Sequence, residues 1–266
     1  MTNLTPQALF SLEGSVLLVT GAGGQLGSGI ISAALAAGAK VIATDMETEP
    51  VSARMTQEGW PAEQVAITAC DIRVRADIDA ALALGTERFG EVNGLINNAG
   101  VSVFEPFLER PEESFDWVSE VNLKGTFLAI QAFIQYRSER DGGGTIVNIA
   151  SHYGLISPDP RIYTDCLRRN SEVYGATKAG VIQMTRYFAV HGAEHGIRVN
   201  AVSPGGVLNP EAPQGEDFQE RYGFRCPMGR MADTHEISGA VVFLLSRAAS
   251  YVNGHNLVVD GGMTAW

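Results

Sequence analysis

Cysteine is scarce: the 266-residue chain has three, Cys70, Cys166 and Cys226, and no C-x-x-C pair. An odd, scattered set argues against a disulfide framework and fits a reducing compartment. Basic residues are few as well, 19 Lys and Arg against 30 Asp and Glu, for a formal charge of −11. That balance disfavours nucleic acid or an anionic membrane as partner and mainly promotes solubility. No uninterrupted apolar run reaches membrane-spanning length. Residues Met1–Pro6 lack the basic and then apolar regions of a secretory signal. Charged residues reach only 18% against 45% hydrophobic, so a large core is available and extensive disorder is excluded. With no linker, repeat or low-complexity tract, the expectation is a cytoplasmic α/β protein forming one domain over residues 1–266.

Apolar, β-branched runs alternate with helical stretches along the chain. Ser15–Thr20 reads as a doubly buried strand that stops at Gly21, and Ser28–Gly38 as an Ala- and Ile-rich helix. Strands follow at Lys40–Thr44, Val65–Ala69, Gly94–Ile96, 145–150, 197–202 and 256–259. Helices are expected at Ala76–Phe89, Pro111–Arg137, 173–192 and near 234–246, with a Pro/Gly-rich loop at 203–229. Seven strands separated by helices predict a Rossmann-type doubly wound parallel sheet with helices on both faces.

Between the first strand and its helix lies Gly21-Ala22-Gly23-Gly24-Gln25-Leu26-Gly27. Strand, glycine turn and helix start in this order aim backbone N–H groups and a helix dipole at a pyrophosphate. A glycine cluster alone also suits any tight turn. Here the next strand ends at Asp45, 24 residues after Gly21, where an acid accepts hydrogen bonds from a ribose diol and repels a 2′-phosphate. Met46 and Glu47 follow it, and no Lys or Arg lies between Gly21 and Gln25, so NAD is favoured over NADP.

Tyr174 and Lys178 stand four apart, one turn apart on one helix face. A free phenol titrates near ~10, and an ammonium beside it lowers that value. Ser151, at the end of the strand Thr145–Ile149, offers a hydroxyl to the same substrate oxygen. Asn122 is unfavourable mid-helix on propensity grounds, which points to a functional role.

Together, Thr20-Gly21…Gly27, Asp71, Asn97-Asn98-Ala99-Gly100, Asn122, Ser151, Tyr174-x-x-x-Lys178, Pro204-Gly205 and Asp260-Gly261-Gly262 resemble the short-chain dehydrogenase/reductase family, in its shorter dehydrogenase branch. The resemblance covers nearly the whole chain. It implies that Tyr174 is the general acid/base, that Lys178 holds the nicotinamide ribose and lowers the tyrosine's pKa, that Ser151 polarises the substrate oxygen, and that Asn122 anchors a water in a proton relay through its helix. It implies cofactor contacts from Gly21, Gly24, Gln25, Leu26 and Gly27. Asp71 and Ile72 would approach the adenine, Asn98, with Ala99 and Gly100, the adenine-side ribose, and Pro204, Gly205 and Val207 the nicotinamide. The implied activity is NAD(H)-dependent interconversion of a small-molecule secondary alcohol and a ketone, with no metal, in a homotetramer or dimer. A nucleotide-sugar epimerase or dehydratase with bound NAD, and a non-catalytic NAD-binding regulator, are the rival readings.

Three departures stand out. Gln25 occupies the middle glycine of the common turn, and the Gly21-x-x-Gly24-x-x-Gly27 spacing is that of the epimerase branch. Asn209 stands where the family has a Thr beyond Pro-Gly. Ser151 and Tyr174 lie 23 apart, so an insertion of about Pro158–Asn170 falls over the substrate mouth, with 203–229 as a substrate lid. Tyr163 has Leu167, not Lys, four residues on and is read as a decoy. Arg161, Arg168 and Arg169 either recognise a carboxylate or phosphate on the substrate or form a solvated loop. The layout is similar, more distantly, to dehydrogenases of nonulosonic-acid and surface-polysaccharide pathways, which suggests a sugar or sugar-acid hydroxyl. His191-Gly192-Ala193-Glu194-His195 matches a zinc-peptidase pattern, but a helix C-terminus explains its histidines. Trp60, Trp117 and Trp266 are read as packing residues; Phe127, Ile130 and Phe133 as core or as an oligomer seam.

Overall fold

The computed structural model describes residues 5–140, 142–164 and 169–266. Its strands are β1 (Val16–Thr20), β2 (Lys40–Asp45), β3 (Val65–Ala69), β4 (Gly94–Asn97), β5 (Gly144–Ile149), β6 (Ile197–Pro204) and β7 (Asn256–Val259). The helices are α1 (Pro6–Phe10), α2 (Gln25–Ala36), α3 (Thr48–Glu58), α4 (Arg75–Phe89), α5 (Glu112–Ser119), α6 (Thr126–Ser138), α7 (Glu172–His191), α8 (Glu216–Arg225) and α9 (Thr234–Leu245). All seven strands are parallel, in the order β3-β2-β1-β4-β5-β6-β7. The chain winds outward from β1 through β3, then restarts at β4 on the other side of β1. The crevice beyond the ends of β1 and β4 is therefore the place where ligands bind in such sheets.

Strand alternation sends side chains to two cores. Leu17, Val19, Val147 and Val202 pack with Ile30, Ile31 and Ala34 of α2 and Ile237, Val241 and Leu244 of α9. Val16, Leu18, Ile146 and Val199 pack with Ile78 and Leu82 of α4 and Ile130 and Phe133 of α6. Ile130 and Phe133 are thus core, and a fully buried side chain of this size contributes about 1.5–3 kcal/mol. Phe127 is more than a third exposed, its ring tilted at 40° to that of Phe188 with centroids 6.3 Å apart. Among the described residues no helix is long and apolar enough to cross a membrane.

Several sequence expectations need correction. The helix expected over 111–137 is continuous from Glu112 to Ser138 but widens into a π segment at Glu120–Gly125, with Asn122 inside it. Such segments occur often at functional sites. The stretch 203–229 is not all loop, since β6 runs to Pro204 and α8 occupies Glu216–Arg225. Acids in the first turn of α8 and Arg225 in its last complement the dipole, while Phe218 and Tyr222, one turn apart, are buried. Gly223 inside α8 reflects close packing: a Cβ there would stand 2.6 Å from the Gly229 carbonyl. Helix α3 was not anticipated, because Pro50 reads as a breaker; it falls in the first turn, where no N–H is needed. Of the tryptophans only Trp60 is packed inside, its Nε1 donating to Ser32 Oγ at 2.8 Å. Trp117 lies on the outer side of α5, and Trp266 ends the chain under the Arg225 guanidinium; both are exposed.

Candidate active site

Gly21 adopts φ +67° at the end of β1, a conformation that suits glycine, and a Cβ there would strike Ala99 and the Asn98 amide. Asn98 Nδ2 donates to Thr20 O at 3.0 Å and Gly21 O at 2.9 Å. Thr20 Oγ1 accepts from the N–H groups of Asn98 and Ala99, both at 3.1 Å. The amide of Asn98 thereby fastens β4's end to the glycine turn. Gly27 lies so close under this turn that a Cβ would drive into the Gly21 carbonyl. Helix α2 starts with no side-chain cap and no acid in its first turn. Its unpaired N–H groups and dipole fit a pyrophosphate in this cradle.

Asp45 ends β2 with Oδ2 accepting from Gly23 N at 3.0 Å and Oδ1 from Met46 N at 2.8 Å. Asp71 is held by a bidentate Arg73, whose guanidinium keeps that carboxyl below the usual range. Both acids line a cleft of about 450 Å³ together with Gly21, Gly24, Gln25, Leu26, Gly27, Ile72, Asn98, Ala99, Gly100, Pro204, Gly205 and Val207. Every residue expected to touch a dinucleotide is therefore on one continuous wall.

Ser151, Tyr174 and Lys178 line the same cleft. Ser151 follows β5, and its Oγ accepts from Tyr153 N at 3.1 Å, capping a single 3₁₀ turn at His152–Gly154. Ser171 caps α7 by accepting from Tyr174 N at 3.3 Å, which places Tyr174 in the first turn and Lys178 in the next. The Tyr174 phenol is buried in the same cleft as the Ser151 hydroxyl. Lys178 Nζ donates to Ile149 O at 2.7 Å and lies 5.7 Å from the centroid of the Tyr174 ring.

The electrostatics differ from the sequence expectation. Burial pushes the Tyr174 phenol above its ordinary value, opposed by the Ser151 hydrogen bond. Burial also pushes Lys178 down to about 8. The ammonium that was to lower the phenol is thus itself disfavoured by the same desolvation, and the protein's own groups leave Tyr174 protonated at neutral pH.

Asn122 is the site residue that the cleft excludes. It is buried behind Gly100, its Oδ1 accepting from Val101 N at 2.8 Å and its Nδ2 donating to Val101 O at 2.9 Å and Thr177 Oγ1 at 3.2 Å. Both ends of the amide are spent on holding the segment after β4 against α7.

Side chains that no motif announces pack around the insertion and the segment after β6. His152 is buried with Nδ1 2.9 Å from Pro204 O, and burial lowers its pKa, so it is neutral. The phenols of Tyr153 and Tyr163 are 2.9 Å apart, and Tyr222 Oη accepts from Gly206 N at 2.6 Å. Tyr163 is buried, packed against Phe218 of α8. It stands apart from any ammonium role yet anchors the insertion. Arg161 is exposed and bidentate to Asp159, and Arg169 donates to Tyr163 O at 2.9 Å. These two guanidinium groups bind within the insertion, which favours the solvated-loop reading; Cys166, Leu167 and Arg168 lie outside the described residues. Gln25, the replaced glycine, donates from Nε2 to Leu208 O at 2.6 Å and Thr234 Oγ1 at 3.0 Å. Asn209 Oδ1 accepts from Glu211 N at 3.1 Å. A sequence signal for these contacts exists only in the two departures themselves, Gln25 and Asn209.

A family model described as "Enoyl-(Acyl carrier protein) reductase" matches residues 21–264. The D-threitol dehydrogenase of Mycolicibacterium smegmatis is 35% identical over 261 residues, which cover 96% of this chain and 95% of that protein. A short-chain dehydrogenase from Leptospira borgpetersenii, solved with bound NAD+, superposes with a TM-score of 0.85 at 37% identity, covering 96% of this chain and 94% of that one. A gluconate 5-dehydrogenase from Burkholderia cenocepacia, solved with NADP and tartrate, superposes with a TM-score of 0.86 at 28% identity, covering 98% and 100%.

Proposed function

The chain belongs to the short-chain dehydrogenase/reductase family, and from that premise we propose that it interconverts a secondary hydroxyl of a polyol or sugar-type alcohol and the corresponding ketone, with NAD(H). The observation that supports this reading is the meeting of Ser151, Tyr174 and Lys178 on the cleft that also holds the glycine turn and Asp45. NAD(H) is favoured by the Asp45 carboxylate at the seat of the adenine-side ribose. Relatives that act on D-threitol and on gluconate point to a chain of vicinal hydroxyls as the substrate class.

A bound nicotinamide supplies the hydride acceptor or donor. The remaining chemistry belongs to the protein. In alcohol oxidation Tyr174 Oη, as phenolate, takes the proton of the hydroxyl that is losing its hydride. In ketone reduction the neutral phenol returns it. Ser151, on the same cleft as Tyr174, donates a hydrogen bond to the same substrate oxygen. Lys178, pinned to Ile149 O, holds positive charge below Tyr174 when protonated and offers N–H groups to a ribose. The Asn122 side chain acts from behind, holding Val101 in place.

The test is a panel of tetritols, pentitols and hexitols, D-threitol included, incubated with NAD+ and read as NADH absorbance. NADH should accumulate with at least one polyol. Turnover of a nucleotide-sugar without net NADH would favour the epimerase reading, and no turnover of any alcohol or ketone would favour a regulator.

A further inference from the structure

Beside the Asp45 seat stands a cation that is already occupied. Arg54, on α3, reaches the glycine turn with Nε 3.5 Å from Gly23 O, and Gly23 N is the group bound by Asp45. A Cβ on Gly23 would stand 2.9 Å from Pro50, so α3 presses directly on this turn. The two terminal nitrogens of Arg54 lie 2.6 Å from the two carboxylate oxygens of Glu211, a bidentate pair. Gln57 braces it, donating to Glu211 Oε1 at 3.1 Å and accepting from Arg54 Nη1 at 3.2 Å. Glu211 arrives on the segment after β6, which is independently fastened by Gln25 to Leu208 O.

Resting on the dinucleotide reading above, we infer that Glu211 is a specificity-determining residue, sequestering the Arg54 guanidinium that would otherwise receive a 2′-phosphate on the adenine-side ribose. A guanidinium binds phosphate by the same two-pronged geometry that it gives to a carboxylate. With Glu211 in place both prongs are used and the pair is neutral, so a 2′-phosphate meets only the Asp45 carboxylate. Discrimination against NADP is therefore shared: Asp45 repels, and Glu211 withholds the compensating cation. The residues are far apart in sequence, and neither stands in a glycine-turn position or directly after the β2 acid. The Gln25–Leu208 tie makes removal of Glu211's charge a test of electrostatics rather than of the segment's placement.

The test is calorimetric titration of NADH and NADPH into wild type, Glu211→Gln, Arg54→Met and the double variant, with Tm checking that each is folded. Glu211→Gln should shift the ratio of NADPH to NADH dissociation constants about tenfold toward NADPH, the scale of one charge-assisted contact, while NADH affinity stays within about twofold. Arg54→Met alone should hold the ratio or move it further toward NADH, since it uncovers the Glu211 carboxylate, and the double variant should lose the shift toward NADPH. An unchanged ratio in Glu211→Gln, a shift that survives in the double variant, or a wild type that already binds NADPH as tightly as NADH would overturn the inference. Binding of neither dinucleotide by folded wild type would instead remove the reading on which it rests.

Discussion

On the nucleotide wall of the cleft, the ties run to backbone: Asn98 to Thr20 O and Gly21 O, Thr20 Oγ1 to two N–H groups, Asp45 to Gly23 N. On the insertion side the ties join side chains that are distant in sequence or inserted: Tyr153 to Tyr163, Thr164 to Asp217, Arg225 to Asp159. On the proposed reading the first wall takes what every dinucleotide shares, phosphates and a ribose, and backbone with glycine suffices for it. The insertion side is held by contacts that single substitutions can rearrange. Ser151, Tyr174 and Lys178, the groups proposed to react, line the same cleft as the glycine turn and Asp45.

If the walls are separable in this way, substitutions should separate the steps. Tyr174→Phe removes the proton carrier and leaves the nucleotide wall intact. Turnover should fall by about 10²–10⁴-fold, the range of general acid–base catalysis, with NADH affinity little changed. Because burial holds the Tyr174 pKa above the ordinary phenol value, the wild-type oxidation rate should still be climbing with pH above neutrality as phenolate forms; the residual rate of the Phe variant should lack that rise. A parallel rise in both would place the titrating group elsewhere. Steady-state rates across pH and fluorescence titration of NADH read both quantities.

Gly27→Ala attacks the other side. The added Cβ must push the Gly21 carbonyl out of the turn, and overpacking of this kind costs about 1–3 kcal/mol. A Tm lower by about 5 °C is expected, at about 2–4 °C per kcal/mol for a domain of this size. Since the displaced atoms are the phosphate cradle, NADH affinity should drop about tenfold or more, by the 1.4 kcal/mol rule. Unaltered affinity would mean that the turn does not carry the dinucleotide.

Tyr163→Phe should be the mildest. It leaves Tyr153 without its 2.9 Å partner, a loss of about 1 kcal/mol, and loosens the insertion rather than the cradle. Several-fold lower kcat/KM for the polyol with unchanged NADH affinity is expected. An equal loss in both would show that the walls are coupled.

How much of this was readable from residues alone follows the same division. The strands were legible because doubly buried parallel strands are continuous apolar runs, as in Val16–Thr20 and Lys40–Asp45. The cleft residues were legible because glycine, Asp45 and the Tyr174/Lys178 pair carry backbone or proton-transfer demands that few other residues meet. Helix α3 escaped notice because it buries a single side chain, Val51, and carries Pro50. Helix α8 escaped because Gly223 reads as a loop signal, although packing demands it. Tyr153–Tyr163 and Arg54–Glu211 were invisible, since a pair across 10 or 157 positions has no local pattern. The direction of the Tyr174 shift has no local signal for a related reason: spacing brings Lys178 near, but spacing does not report that both groups are desolvated together.

The most direct test of the central chemistry follows one hydrogen. A polyol substrate deuterated at the reacting carbon should deliver one deuterium to the reduced dinucleotide for each ketone formed, while the hydroxyl proton, passed through Tyr174, exchanges with water. A reduced dinucleotide free of deuterium, or deuterium recovered only in an epimerised substrate with no ketone released, would contradict it.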